Sequence, residues 1–205
     1  MKSLVIFFAS LIATGTAFAQ NVGDPIGPNI RQVSCWKGDK LLRAAERDGL
    51  RVGAEAQSER PDILGAQLYT MYDPRDRSWG MIASAKDADG PRQCDSGVGT
   101  DWKLIPMKKA VVFEDALPVN KLTKLCVPLA KRLEQLEKSL GEVPIGRGAR
   151  GPNYDVVYTM SENGSWSALL IDKRASSTDD REPSCFYNWG KGMLLNPVMR
   201  ATPSQ

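Results

Sequence analysis

The sequence predicts an α+β protein formed by tandem duplication, in which each copy is a helix packed on an antiparallel β-meander and closed by one disulfide. Three observations predict this fold class. Four cysteines form two pairs with equal spacing along the chain. A set of other residues recurs in the same order in both halves. In each half, apolar residues at helical spacing precede two segments rich in β-branched and aromatic residues.

Residues 1–19 are typical of a secretory signal peptide. A lysine is followed by a mostly apolar stretch, and Ala17-Phe18-Ala19 matches the small-x-small cleavage pattern. We expect cleavage after Ala19 and export to the periplasm or the cell exterior, with no membrane span after cleavage. The alternative, an N-terminal membrane anchor, is disfavoured because the apolar stretch is too short to span about 30 Å of hydrocarbon.

Export places the cysteines in an oxidising compartment, where an even number of cysteines is typical of disulfides. Four cysteines allow three pairings. The separation between Cys35 and Cys94 equals that between Cys126 and Cys185, and a duplicated module most simply closes one bond within each copy. The spacing therefore favours the pairs Cys35–Cys94 and Cys126–Cys185.

Matched residues outside the cysteines support the duplication. The matches are Leu42 with Leu133, Tyr69-Thr70-Met71 with Tyr158-Thr159-Met160, Ser78-Trp79 with Ser165-Trp166, and Gly99 with Gly190. They divide the chain into a signal peptide (1–19), an N-terminal arm (20–32), a first αβ repeat (33–107), a linker (108–123), a second αβ repeat (124–199) and a tail (200–205).

The second copy shows the plan of the module most clearly. Apolar residues recur at three- and four-residue steps up to Leu140, which predicts an amphipathic helix that begins close to Cys126 and ends at Gly141. A Gly-rich loop follows, and it leads into two strands at 154–160 and 166–172. The dipeptide Asn163-Gly164 between these strands predicts a hairpin turn, because both residues tolerate positive φ.

The first copy repeats this plan more weakly. Its helical pattern includes Leu42 and Ala45 and stops at Gly49. Its hairpin is predicted at 67–72 and 79–85, around a turn at Asp73-Pro74. A further strand is expected near the second cysteine of each copy, so that the disulfide would join the start of the helix to the last strand of its sheet.

The second copy carries an ordered series of motif residues, which are Cys126, Gly141-Glu142, Gly164-Ser165-Trp166, Cys185 and Gly190. This series resembles a group of small exported proteins common in alphaproteobacteria and some of their phages. The first copy carries the end of the pattern, from Cys94 to Trp102, but has Arg77 where the group has Gly before Ser-Trp. The resemblance implies export and a disulfide-closed module, and it implies no particular activity.

The Gly-rich loop at 145–152 is the first candidate for a ligand site. Its glycines would let backbone N–H groups approach an anion, and Arg147 and Arg150 would clamp a phosphate or a carboxylate. The loop lacks the Lys-Ser/Thr ending of a P-loop. The alternative is a flexible connector between helix and strand, in which the arginines only add solubility.

Trp79 and Trp166 are the second candidate, because they occupy matched positions at the start of the second hairpin strand. A tryptophan at such a position more often belongs to the core or anchors strand pairing, and this interpretation is favoured. An exposed pair would instead suit the binding of a protein or a sugar.

Composition excludes several classes of function. The chain has no His, so it has neither an imidazole metal site nor a Ser-His or Cys-His couple. Its 27 basic and 24 acidic residues are interspersed, which does not indicate nucleic-acid binding. We expect no cofactor, no metal site and no catalytic residues.

The predicted function is an exported, non-catalytic binding or accessory protein that acts on a protein or an envelope component in the periplasm or outside the cell. Two alternatives stay open, which are an envelope structural or stress protein without a defined site and a hydrolase that uses a pair of carboxylates. A cleft that holds two carboxylates with shifted pKa values would favour the hydrolase.

Overall fold

The described residues form ten strands and two helices. The computed structural model describes residues 35–60, 63–87, 90–107, 122, 126–174 and 182–196. In chain order the elements are β1 (Cys35–Lys37), α1 (Lys40–Arg47), β2 (Arg51–Ser58), β3 (Gln67–Tyr72), β4 (Trp79–Asp87), β5 (Gly90–Leu104), β6 (Val127–Pro128), α2 (Leu129–Leu140), β7 (Val143–Arg150), β8 (Tyr154–Met160), β9 (Trp166–Asp172) and β10 (Pro183–Leu195). The predicted signal peptide, N-terminal arm and tail lie outside the described residues, as does the linker at 108–123 apart from Leu122.

Eight of the strands form a closed antiparallel barrel. Around the barrel their order is β5-β4-β3-β2-β10-β9-β8-β7, and β7 pairs with β5 to close it. Within each half of the chain, neighbouring strands of the barrel follow one another in sequence. The two halves meet at two seams, where β2 pairs with β10 and β5 pairs with β7. The short strands β1 and β6 extend the margins of β5 and β10.

The predicted α+β tandem duplication is therefore wrong as a fold class. The strands of the two halves do not form separate meanders under separate helices, because they share one barrel. The difference arises at β2 and β7, which follow the two helices and were not predicted as strands. An isolated meander would leave its edge strands unpaired, and pairing each edge with the other half removes both edges.

Aromatic side chains fill the inside of the barrel. Trp79, Trp102, Tyr158 and Trp166 are buried in a row, with ring centroids 5.6, 5.3 and 6.5 Å apart along it. Glycines of β7 make room for them. A Cβ at Gly146 would lie 2.3 Å from the ring of Trp102, and one at Gly148 would lie 2.5 Å from Nε1 of Trp79. Among the described residues, these aromatic side chains belong to one packed core cluster inside the barrel.

The two helices pack on the outside of the barrel. Helix α1 places Leu41 against Met71 and Ile82 on the outer face of β3 and β4. Helix α2 places Leu136 in a larger cluster on the outer face of β8 and β9. As predicted, the second helix ends at Gly141, which has the left-handed conformation typical of a helix C-terminus (φ 68°).

Both predicted disulfides are present. Cys35 is bonded to Cys94, its register partner across β1 and β5, and Cys126 is bonded to Cys185 of β10. Each closes a loop with a sequence separation of 59 residues, which stabilises the fold by up to about 4 kcal/mol in the chain-entropy model. The bonds are consistent with a periplasmic or extracellular protein. Among the described residues, no helix has the length and apolar character needed to cross a membrane.

Candidate functional site

The structure does not bring Arg147 and Arg150 together. Residues 145–150 belong to β7 rather than to a loop, and side chains three positions apart on a strand point to opposite faces. Arg147 lies opposite Val157 on the outer face, whereas Arg150 lies opposite Tyr154 on the inner face. The two guanidinium groups therefore cannot clamp one anion.

Arg147 is engaged with two carboxylates on the outer wall. Its Nη2 lies 2.9 Å from Oε1 of Glu182 and 2.8 Å from Oδ2 of Asp155. Hydrogen bonding to Glu182, together with that to Asp155, raises the pKa of Arg147. Lys173 also pairs with Asp155 at 3.1 Å. This network ties β7 to β8 and to the start of β10, and its charges are already neutralised.

Trp79 and Trp166 are buried in the core, and each forms a hydrogen bond across one of the two seams of the barrel. The indole N–H of Trp79 in β4 donates to the carbonyl oxygen of Ala149 in β7 at 3.1 Å. That of Trp166 in β9 donates to the carbonyl oxygen of Gln57 in β2 at 3.2 Å. These positions match the favoured interpretation of the pair as core and strand-pairing anchors, and they leave neither ring as a surface platform.

Arg150 lies at the inner edge of one end of the barrel. Its guanidinium carbon stacks 4.7 Å above the ring centre of Tyr187 from β10. Both groups lie over Gly97 of β5, where a Cβ would be 3.5 Å from Cζ of Arg150 and 3.6 Å from Oη of Tyr187. Burial raises the pKa of Tyr187, and the positive charges of Arg150 and Arg60 oppose that shift.

A second arginine–tyrosine pair adjoins the first. Tyr154 lies opposite Arg150 in the β7–β8 register and opposite Asp172 in the β8–β9 register. Nη2 of Arg174 donates to Oη of Tyr154 at 2.5 Å and to Oδ2 of Asp172 at 2.6 Å. The hydrogen bond from Arg174 lowers the pKa of Asp172. Arg174 is thus held in one orientation although its side chain is 57% exposed.

Arg60 completes this surface from the segment that follows β2. Its Nη1 donates to the carbonyl oxygen of Tyr187 at 3.0 Å. We define the arginine–tyrosine rim as Arg60, Arg150, Tyr154, Arg174 and Tyr187. Asp95 of β5 lies close enough for the charge of Arg150 to act on it; burial raises the pKa of Asp95, and the Gly97 N–H and Arg150 oppose the rise.

Among the described residues, Glu142 is the second carboxyl group whose pKa is raised by burial, and it lies at the opposite end of the barrel. It is 1% exposed and accepts hydrogen bonds from Thr159 at 2.7 Å and Ser165 at 2.5 Å. The eight residues of β7 separate it from the rim, a length of about 26 Å along the strand at about 3.3 Å per residue. These two carboxyl groups therefore cannot act together as an acid–base pair.

A shallow cavity of about 270 Å³ opens where α1 ends and β2 begins. Arg75 covers Gly49 in its wall and pairs with Asp73 at 2.5 Å. The hydrogen bonds from Arg75 lower the pKa of Asp73, which is buried. The described residues that line this cavity include no aromatic side chain, whereas the rim combines arginine with tyrosine, so the rim is the stronger candidate.

Comparison of the chain with protein-family models, with curated proteins and with solved structures finds no match. The assignment of a site therefore depends on the geometry of the chain itself. Of the rim residues, the sequence singled out Arg150 alone.

Proposed function

We propose that the protein is an exported, non-catalytic binding protein that docks a protein partner in the periplasm or outside the cell through the arginine–tyrosine rim. One observation carries the proposal. Two arginine–tyrosine pairs adjoin one another at one end of the barrel, since Arg150 and Tyr154 face each other in register. Arginine and tyrosine are the residue types most often found, with tryptophan, where a few side chains supply most of the binding energy of an interface.

The rim is ordered before any partner arrives. Arg174 is fixed by Asp172 and Tyr154, and Arg150 is stacked on Tyr187. An association that orders few side chains loses less conformational entropy, so such a surface binds more tightly for its area.

The chemistry of the rim favours a partner segment that carries carboxylates. A guanidinium presents a planar fork of donors that matches a carboxylate, and the tyrosine rings add apolar contact area. An association of this kind weakens as salt rises, because exposed charges are screened beyond about 8 Å at physiological ionic strength.

The test is capture of partners from the envelope fraction of the cell by the tagged, exported chain. Three proteins are compared, which are the unmodified chain, Arg174→Ala and Arg43→Ala. Arg43 of helix α1 is a matched control, because it is 73% exposed, pairs with Asp39 at 2.6 Å and is not a rim residue. The proposal is supported if one protein is captured in stoichiometric amount by the unmodified chain and by Arg43→Ala but not by Arg174→Ala. Equal capture by all three proteins, or retention of a glycan instead of a protein, contradicts it.

A further inference from the structure

The two disulfides lie in different surroundings. Cys35 is exposed and Cys94 is half-buried, whereas Cys126 is half-buried and Cys185 is buried. Thiol–disulfide exchange requires an attacking thiolate to reach one of the two sulfur atoms, so its rate depends on access. Of the four cysteines, Cys35 is the one that is exposed as a residue.

Besides the disulfide, the elements next to this bond attach to the barrel through the β1–β5 pairing, an apolar cluster around Leu41 and a hydrogen bond from the Leu42 N–H to Oε1 of Gln93 at 3.0 Å. Strand β1 has three residues and, among the described strands, pairs with β5 alone. Helix α1 has eight residues, of which only Leu41 is buried. A helix shorter than about 12 residues is marginal in water without tertiary contacts. Cys35–Cys94 is the covalent cross-link that adds to these contacts and holds β1 to β5.

Helix α2, beside the other disulfide, is held more firmly. It has twelve residues, and Leu136 is fully buried in its cluster. Arg132 is also buried, donates to the carbonyl oxygen of Leu122 at 2.8 Å and lies 4.7 Å above the ring of Phe186. Loss of Cys126–Cys185 would leave these contacts in place.

We propose that Cys35–Cys94 is a selectively reducible latch, which a dithiol reductant of the thioredoxin type opens first and whose opening releases β1 and α1 from an otherwise intact barrel. The closed barrel makes this possible, because none of its eight strand pairings involves β1 or α1. Opening would uncover Met71 and Ile82, the buried apolar residues under α1. The proposal is independent of the function proposed for the rim.

The chemistry is a two-electron exchange. A thiolate of the reductant attacks Sγ of Cys35, the bond to Cys94 breaks, and Cys94 leaves as a thiolate. The second thiolate of the reductant then attacks the mixed disulfide and releases Cys35. The protein gains two electrons, its two thiolates take up two protons as their pKa values require, and the reductant becomes a disulfide.

The experiment treats the fully oxidised protein with dithiothreitol, followed in time by alkylation, peptide mass spectrometry and hydrogen exchange. We expect Cys35 and Cys94 to be alkylated about tenfold faster than Cys126 and Cys185, because access controls the exchange rate. Amide exchange should rise at 36–50 and stay unchanged at 143–172. Equal or reversed order of reduction, or a rise in exchange throughout the barrel, would overturn the latch.

Two double variants give a second test. Cys35→Ser with Cys94→Ser should keep the near-ultraviolet signal of the buried tryptophans and show the raised exchange at 36–50 without any reductant. The matched control, Cys126→Ser with Cys185→Ser, should leave exchange at 36–50 as in the unmodified protein. Failure of the first variant to fold would contradict the proposal, because the barrel would then depend on the latch.

Discussion

Arg150, the last residue of β7, lies opposite Tyr154, the first residue of β8, in the register of these two adjacent strands. Tyr154 accepts a hydrogen bond from Arg174, and the guanidinium of Arg150 stacks on the ring of Tyr187. Two consecutive strand pairings, β7–β8 and β8–β9, and one stacking contact with Tyr187 of β10 thus gather these groups at one end of the barrel. This arrangement is a property of the closed barrel, since β7 and β10 are not neighbours within it.

Gly148→Ala is expected to destabilise the protein by about 1–3 kcal/mol, the usual cost of overpacking a core. An added Cβ would lie 2.5 Å from Nε1 of Trp79 and 2.7 Å from Trp102. Urea unfolding measures the effect. Gly80→Ala is the matched control, because its nearest contacts would be ordinary ones at 3.6 Å. Equal stability of the two variants would mean that Gly148 does not provide room for the tryptophans.

Trp79→Phe and Trp166→Phe are expected to weaken different seams. Each change removes an indole donor and leaves a carbonyl oxygen without it, at Ala149 and at Gln57 respectively. Loss of such a bond costs about 1–3 kcal/mol where the acceptor is not hydrated. Hydrogen exchange should rise at β5–β7 in the first variant and at β2–β10 in the second. The same pattern in both variants would contradict the assignment of one tryptophan to each seam.

Glu142→Gln is expected to flatten the pH dependence of stability. Burial raises the pKa of Glu142 above 4.5 in the folded state, so the folded protein binds more protons than the unfolded chain between the two pKa values. The contribution of Glu142 to the free energy of unfolding is therefore highest below its ordinary pKa of 4.5 and is lost as the pH rises through the folded-state pKa. A neutral glutamine removes this decline.

Urea unfolding between about pH 4 and pH 8 measures that effect, since the interval spans the ordinary carboxyl pKa and neutral conditions. Glu162→Gln is its control, because Glu162 is exposed in the neighbouring β8–β9 turn. An identical decline in the unmodified protein and in Glu142→Gln would assign the pH dependence to other groups.

Arg147→Ala is expected to destabilise the outer wall, because Asp155 and Glu182 would lose their shared guanidinium. Asp155 would keep Lys173, whereas Glu182 would lose the contact that ties it to β7. These side chains are partly exposed, so we expect the free energy of unfolding to fall by about 1 kcal/mol or less. Thermal unfolding at low and high salt measures it. An effect that is insensitive to salt would point to lost packing instead.

Local patterns predicted the elements whose partners are close in sequence. Strands β8 and β9 lie at the predicted residues, because their β-branched and aromatic content and the Asn163-Gly164 turn are local signals. Both disulfides were predicted from the equal cysteine spacing together with the internal duplication, and both are confirmed. In the same way, the three residues between Arg150 and Tyr154 fit a hairpin turn, which would have indicated that the two side chains face each other.

The closure of the barrel could not be predicted, because its cause is distant in sequence. Gly146 and Gly148 are typical of a loop until Trp102 and Trp79 are seen to occupy the space beside them. Strand β2 is short of large apolar residues and depends on its pairing with β10, more than 120 positions later. Tyr187 of β10 contacts Arg150 of β7 only in the folded barrel, so local sequence patterns could not predict most of the rim.

Site-specific photocrosslinking tests the binding function most directly. A photoreactive residue replaces Arg174 in one protein and Arg43 in another, and each is irradiated in the envelope fraction of the cell. The proposed function predicts one protein adduct from position 174 that is absent from position 43 and fades as the salt concentration rises. Adducts that are the same from both positions, or none from position 174, would contradict docking at the arginine–tyrosine rim.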